Sequence, residues 1–592
     1  LKTEYYLLNK LNSTDREQFV EKGIETRHTV KNYLYQAIKY ADNPIKLFEF
    51  NYLYKGLAAQ TLDSRYNEFD TTSHDAVEKI AHKLSEKEGL IDLIAIADKQ
   101  PDSFYNYTGV GYKYFVPDST LEYPVISGIV PFSPAFTSDL QIGDTILDFN
   151  DYSVRNISQK QFQHLMETFK LKEKVAIKIK HQGDQIVHTV NLFKDSIYNY
   201  TDYYRKAYMA YTFSHSGLDR IVCNAFYGDF INGRGIKIYQ KYLGDLSNRD
   251  SLYLGYLSFL NKTILSSNTL TFSIDGSYSK LNIETLPIPD SMGNYQYVGD
   301  LKKVRLISSV KDLISTDTIA YSNKKIVLFG YPDYTLNRSE QAKLANQVGQ
   351  DSNSLAYVRG DDAIIGNYSF KPLAATKHEV EDIGQMLEQK GWHVEIYTGA
   401  KALKEQIKQI RSPRILHIAT HGFFAEDLQP EMQKSFMGMD SKTAKENPML
   451  RSGLAFAGAE RTRTDSTHEV GSSTDDGILT AEEAQYLHLD GTELVVLSAC
   501  ETGLGEIVNG EGVYGLQRAF RAAGAKSILM SLWKVDDLAT ETLMKNFYKH
   551  WLEDGMTKDD ALWQAKLDLR NDKNHPLWAL PYYWGAFVLI GE

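Results

Sequence analysis

Two cysteines in 592 residues, Cys223 and Cys500, exclude a disulfide framework and a cysteine-built zinc cluster. Such sparing use fits a reducing, cytoplasmic setting in which a free thiol survives. No apolar run approaches the roughly 20 residues needed to span a bilayer, so no membrane-crossing helix is expected. Positive charge is also short: 65 Lys and Arg against 76 Asp and Glu leave a net charge of −11. That balance argues against a general nucleic-acid binder. No segment repeats at the period of a solenoid. The chain opens on Leu1 without a methionine or a basic-then-apolar leader, which reads as a trimmed or processed start. What is present is a soluble, globular composition, 43% hydrophobic and 24% charged, long enough for several domains with large cores. No cofactor and no metal is expected.

The stretch ELVVLSACETGL, from Glu493 to Leu504, carries the strongest chemical signal. Leu494 to Leu497 is a short apolar, β-branched run of the kind buried on both faces of a sheet. It runs out at Cys500, and Gly503, Gly505, Gly510 and Gly512 then break the chain before helical spacing resumes from Val513 to Ala523. A cysteine is thereby presented at the carboxyl end of a parallel strand, where open α/β sheets place their sites. A second such strand, Ile415 to Ala419, ends in Thr420, His421 and Gly422. If the two strands are neighbours, imidazole and thiol face each other, and imidazole takes the thiol proton to give the nucleophilic thiolate. The N–H groups of Gly422 and Cys500 would then hold an oxyanion. The competing reading makes Cys500 a small buried hydrophobe and His421 a loop residue. His417 and His393 read as ordinary sheet histidines, and Cys223, inside LDRIVCNAF, as core.

The segments HIATHG, LSACETGLG, NGEGVYGLQRAFRAAGAKSILMSLWKVDD and YYWGAFVLIGE together resemble the CHAT family of caspase-like cysteine peptidases, relatives of caspases, gingipains and separases. The resemblance runs from about Asn261 to the end. It implies that His421 is the catalytic histidine and Cys500 the nucleophile. The implied fold is a caspase-like α/β domain with a doubly wound, mostly parallel sheet. Alternation of strands and helices over Ile326–Gly330, Ala375–Gln389 (with Thr376 and Glu379 as caps), His393–Tyr397, Leu403–Ile410 and Ile415–Ala419 asks independently for the same parallel βαβ architecture.

Earlier in the chain, Tyr5 to Leu62 has helical spacing, and LYKGLAAQTL resembles the helical preamble that precedes CHAT domains. Gly109, Val110, Gly111 and Tyr112, then SGIVPFSPAF, LQIGDTILDFN, a helix from Ser158 to Phe169 and strands at Val175–Lys180 and Ile186–Leu192 resemble a PDZ domain. In that reading the Gly109–Tyr112 N–H groups grip the carboxylate of a C-terminal peptide ligand, which adds a strand to the open edge alongside. An ordinary β-domain without a ligand is the competing reading. Strands at Glu88–Asp98 and Tyr204–Phe213 flank the module and suggest that it is inserted between paired strands. Leu218 to Leu260 reads as helical, and residues 269–286 read as a hairpin on an Asp-Gly turn.

The expected organisation is a helical N-terminal region and preamble over 1–104, an inserted PDZ β-domain over 105–195, a helical and strand connector over 196–265, and the CHAT domain over 266–592. Between the two catalytic strands, Glu426 to Asp476 is polar sequence with Arg461 and Arg463, read either as a processing loop or as plain solvated chain. After the nucleophile, LWKVDD resembles a separase segment whose aspartate at a pocket base receives a basic side chain. Asp537 matches it, with Asp536 adjacent. The competing reading has both aspartates cap the helix Leu538–Trp551. The function so implied is a cysteine endopeptidase acting on protein or peptide substrates after a basic residue, targeted or regulated by its PDZ domain. The alternative is a catalytically inert scaffold that binds protein partners.

Overall fold

Short apolar runs that stop abruptly at turn residues become the strands of one eleven-stranded sheet. The structure is a computed structural model. It describes residues 80–96, 104–105, 110–113, 123–129, 140–157, 161, 165, 174–181, 186–193, 207–214, 217–223, 235–314, 323–348, 370–424, 435–436, 439–440, 448–460, 476–499, 506–508 and 512–591, apart from positions 81, 86, 142, 291 and 535. The helices expected over 5–62, most of the one expected over 158–169, Gly109, and Cys500 itself lie outside those residues.

In chain order the strands of the large sheet are β1 (Glu88–Ile96), β2 (Ala207–Ser214), β3 (Gly217–Cys223), β4 (Thr269–Ser273), β5 (Lys303–Ile307) and β6 (Lys325–Pro332). They continue with β7 (His393–Gly399), β8 (Ile415–Ala419), β9 (Leu494–Ser498), β10 (Ser527–Ser531) and β11 (Phe587–Gly591). Their order across the sheet is β3-β2-β1-β4-β5-β11-β10-β9-β8-β6-β7. The pairs from β1 to β11 and from β10 to β7 are parallel, and β3-β2, β2-β1 and β11-β10 are antiparallel. The sheet is thus mostly parallel, two parallel blocks meeting at β11 and β10. This is the α/β class expected from the alternation of elements.

Both faces are covered, which is why its central strands carry apolar residues on both faces rather than at alternate positions only. Leu416, Ile418, Val495 and Leu497 pack into one core together with Tyr239, Tyr256, Leu260 and Phe520. Ile415, Ala419, Leu494 and Val496 face the other core, built on helices α1 (Ala374–Gln389), α2 (Asp537–Tyr548) and α3 (Lys558–Arg570). Gly330 lets α1 cross β6 closely, since a Cβ there would stand 2.6 Å from the Thr376 carbonyl oxygen.

Every strand of a second, seven-stranded sheet falls between β1 and β2 in the chain. Its core gathers Ile126, Ile146, Phe149, Val175, Ile177 and Ile179. Yet β1 and β2 pair directly, Leu90 opposite Phe213 and Ile96 opposite Ala207. The small sheet is therefore inserted between two hydrogen-bonded neighbours of the large one.

Three local expectations are corrected. Leu218 to Cys223, read as the start of a helical stretch, belong to β3, the edge strand paired antiparallel with β2. Residues 269–286 are not a hairpin. β4 pairs in parallel with β1 and β5, and the Asp275 carboxylate accepts the Gly276 N–H to start a 3₁₀ turn over Gly276–Lys280. Thr376 and Glu379 do not cap α1: its N-cap is Leu373, Thr376 Oγ1 accepts from the Tyr331 N–H at 3.0 Å, and Glu379 is buried beside His417.

Candidate active site

The strands β8 and β9 are direct parallel neighbours, with Ala419 opposite Ser498 as the last pair of the ladder. His421 and Cys500 each follow two residues later in the sequence. Ala499, the last described residue before the cysteine, is buried, and its carbonyl accepts the Ser531 hydroxyl at 2.6 Å from the end of β10. The end of β9 is thus pinned on the side away from β8.

His421 is held on several sides. Its Nε2 lies 2.7 Å from the carbonyl oxygen of Lys371, an acceptor only, so Nε2 carries a proton and Nδ1 is the basic nitrogen of the neutral ring. A backbone carbonyl leaves no side-chain signature, so this partner of His421 is invisible in the sequence. The rings of Tyr334 and Phe370 lie 5.2 Å and 5.8 Å from the imidazole. Tyr334 OH pairs with Thr420 Oγ1 at 2.9 Å, and the Thr420 hydroxyl donates to the Ala455 carbonyl at 2.5 Å. Burial pushes the His421 pKa below the ordinary histidine value, and Lys534 adds to that, against the Lys371 carbonyl, Asp537 and Glu460, which favour the imidazolium.

Gly422 opens a short strand, Gly422–Phe424, that pairs antiparallel with Ser452–Ala455. The Ala455 N–H bonds the His421 carbonyl, so the ladder bonds fall on odd-numbered positions of that strand. The Gly422 N–H accordingly turns away from its partner strand.

The two aspartates after β10 separate clearly. Asp536 is the N-cap of α2, its Oδ1 accepting the Ala539 N–H at 3.0 Å. Asp537, the first residue of the helix, acts electrostatically on His421 and is acted on by it. Asp537 is exposed as a residue, yet partial desolvation of its carboxyl raises its pKa, and Asp536 raises it further. The capping reading therefore holds for Asp536, while Asp537 is the carboxylate that shares a field with His421.

Beneath the site His417 is fully buried, its Nδ1 3.1 Å from Tyr548 OH and its Nε2 3.0 Å from Glu379 Oε1, the latter poorly aligned for a hydrogen bond. His393 is at the surface. β3 ends at Cys223.

In the small sheet, Val110, Gly111 and Tyr112 fall in the strand Val110–Lys113, which pairs with Val125–Ile129 on one side. The other edge, expected to be open, is paired with Phe104–Tyr105, Phe104 opposite Tyr112 and Tyr105 opposite Gly111. A peptide adding a strand there meets residues of the chain itself. Among the described residues no cluster of His, Cys, Asp and Glu is placed to hold a metal ion, and no helix is long and apolar enough to cross a membrane.

A mostly parallel, two-faced sheet with His421 at the end of one central strand and a cysteine-bearing segment leaving the next defines a caspase-like α/β domain. The CHAT domain family model matches residues 251–592, more than half of the chain, and the chain belongs to that family. Tetratricopeptide repeat protein 28 of Homo sapiens is 27% identical over 255 residues, 41% of this chain and 10% of that protein, so the chain spans about a tenth of that relative's length. Among solved structures, the Arg-specific cysteine proteinase gingipain R aligns over 60% of this chain and 75% of its own at 8% identity, with a TM-score of 0.30. The separase–securin complex of Saccharomyces cerevisiae aligns over 58% of this chain and 17% of its own at 10% identity, with a TM-score of 0.28.

Proposed function

We propose that the chain is a cysteine endopeptidase in which His421 and Cys500 form a catalytic dyad. The observation that carries this reading is the shared end of β8 and β9, from which both residues depart at the same spacing, together with the engagement of His421 Nε2 by the Lys371 carbonyl. That engagement leaves Nδ1 to take the thiol proton. The thiolate attacks the substrate carbonyl carbon, forming a C–S bond, while the N–H groups of Gly422 and Cys500 take the oxyanion. On collapse the C–N bond breaks, and the proton held by His421 passes to the leaving amine. Water then attacks the thioester, giving one proton to His421, and the acid and the free thiol are released.

The pocket carboxylate in this reading is Asp537, and cleavage follows a basic residue. A carboxylate at the pocket gains a charge-assisted partner when a substrate cation binds, whereas an apolar side chain offers nothing in return. The inserted small sheet serves as a PDZ domain for a C-terminal peptide, and it regulates or targets the peptidase in a cytoplasmic setting. Its supporting features are the Gly109–Tyr112 segment, the ordered strands that follow, and its place between β1 and β2.

Labelling with a thiol-alkylating probe at neutral pH tests the dyad. Fast labelling of Cys500 that is lost in His421→Ala, with peptide hydrolysis lost in Cys500→Ala and in His421→Ala, is the expected result. Labelling no faster than a free thiol, with no hydrolysis by the wild-type protein, would leave the inert partner-binding scaffold as the function, and turnover retained by purified Cys500→Ala would remove the dyad.

A further inference from the structure

Glu460 ends a segment that touches the surroundings of His421 in two directions at once. Its backbone N–H donates to the Tyr334 carbonyl at 2.9 Å, and its carboxylate Oε2 accepts the Phe370 N–H at 2.9 Å. Tyr334 and Phe370 are the two rings packed on His421. Phe370 also immediately precedes Lys371, whose carbonyl receives the His421 Nε2–H. We infer that Glu460 is a positioning residue for His421: it anchors the backbone at Phe370, one residue before Lys371, so that the Lys371 carbonyl stays aimed at Nε2, and thereby selects the tautomer whose Nδ1 is free to act as base.

The physical argument is one of competing tautomers. A neutral imidazole with no acceptor at Nε2 populates both tautomers, and the one protonated at Nδ1 has no lone pair to offer the thiol. The Lys371 carbonyl removes that ambiguity only while its peptide plane is fixed. The bond from the Phe370 N–H to Glu460 fixes the chain one residue before Lys371 and so limits how far the Lys371 carbonyl can turn. A carboxylate acceptor makes a shorter and stronger hold than a neutral one. The neighbouring loop is held independently of the carboxylate, since Gly458 N–H donates to the Asp333 carbonyl and Ala457 N–H to the Ala402 carbonyl. Loss of the Glu460 side chain therefore releases residues 370–371 more than it releases residues 333–334. Glu460 makes no contact with the reacting atoms and positions His421 through Lys371; its charge, which also favours the imidazolium, is a separate influence that Glu460→Gln removes while keeping the hydrogen bond.

The inference rests on the dyad for its kinetic consequence but not for its structural one, and two readouts keep them apart. In full-length protein with ¹⁵N-labelled histidine, the His421 ring, assigned by its loss in His421→Ala, should show the Nε2–H tautomer. Glu460→Ala should convert it to a mixture, and Glu460→Gln, whose amide oxygen still accepts the Phe370 N–H, should restore it. In turnover, Glu460→Ala should lower kcat by roughly 10- to 100-fold with KM little changed, the size expected when a base is misplaced by about 1 Å, and Glu460→Gln should recover most of the loss. An unchanged Nε2–H tautomer in folded Glu460→Ala would overturn the inference, as would equal losses in Glu460→Ala and Glu460→Gln. If Glu460→Ala does not fold, Glu460→Asp, one methylene short of Phe370, must show the mixed tautomer instead. A wild-type protein that fails to hydrolyse peptides refutes the dyad, and the tautomer measurement still decides the role of Glu460.

Discussion

Nε2 of His421 lies 2.7 Å from the carbonyl oxygen of Lys371, fifty residues earlier in the chain. A carbonyl orients an imidazole without adding a formal charge, so the base keeps the low pKa that burial gives it. The acid limb of kcat/KM should accordingly fall below the value of an ordinary histidine, about 6.5, because His421 stays neutral and able to accept a proton further into acid. Two charges near it act in opposite senses. Asp537 favours the imidazolium, so Asp537→Asn should move the limb to lower pH, and Lys534 disfavours it, so Lys534→Ala should move the limb to higher pH. Profiles taken with a neutral substrate check both. Shifts of the same sign in the two variants would show that the limb belongs to some other group.

Asp536 and Asp537 are adjacent in sequence but make different contacts, and their variants should fail in different assays. Asp536→Ala removes the cap on α2 and should cost about 0.5–2 kcal/mol of stability with the order of preferred substrates unchanged. Asp537→Ala should leave the unfolding midpoint nearly where it was while erasing preference for Arg or Lys over an apolar residue in a peptide library. A library that prefers Asp or an apolar residue with the wild-type protein would remove the pocket assignment.

Glycines at two sites set opposite expectations for the same change. At Gly330 a Cβ would stand 2.6 Å from the Thr376 carbonyl oxygen and under 3 Å from both Val380 methyls. Backbone cannot give way there, so Gly330→Ala should destabilise by about 1–3 kcal/mol. Gly244, in the helix Gly235–Asp245, has nothing within 4 Å, and Gly244→Ala should stabilise by about 0.5–1 kcal/mol through helix propensity. Denaturant midpoints of the two variants against wild type test the pair.

How far the sequence could be read follows from the range of the forces involved. The strands β8 and β9 were legible because burial on both faces writes short apolar runs, interrupted in β8 by His417 alone, whereas their direct pairing was a condition that only the ladder supplies. His421 was legible as a polar residue at such a strand end. The Lys371 carbonyl was not, since a backbone acceptor looks the same at every residue, and neither was the bond from Phe370 to Glu460, which joins positions ninety residues apart. The Asp275-Gly276 pair misled for a related reason. Its local preference for a hairpin turn is real, but pairing of β4 with both β1 and β5 leaves no free edge for a returning strand. Likewise Thr376 and Glu379 have the spacing of a cap, and tertiary partners, the Tyr331 N–H and His417, claimed them instead.

The regulatory prediction rests on which strands touch. β1 leads into the small sheet, pairs with β4, and β4 runs into the turn Gly276–Lys280. That turn packs against the hairpin Glu506–Val508 and Gly512–Tyr514, which follows Cys500 in the chain. At the other end, the strand Val110–Lys113 is paired with Phe104–Tyr105, residues that lie between β1 and the rest of the small sheet. A C-terminal peptide seated at Gly109 to Tyr112 must displace them and so acts on the connection to β1. Turnover at Cys500 should therefore change when such a peptide binds, and Gly111→Trp should abolish the response while basal activity stays the same. Reciprocity then requires that a covalent inhibitor on Cys500 change the affinity of the small sheet for the peptide by the factor through which the peptide changes the inhibitor's binding equilibrium. Calorimetry of peptide binding to free and inhibited enzyme measures that factor, and equal dissociation constants would mean that the small sheet recruits partners without switching the site.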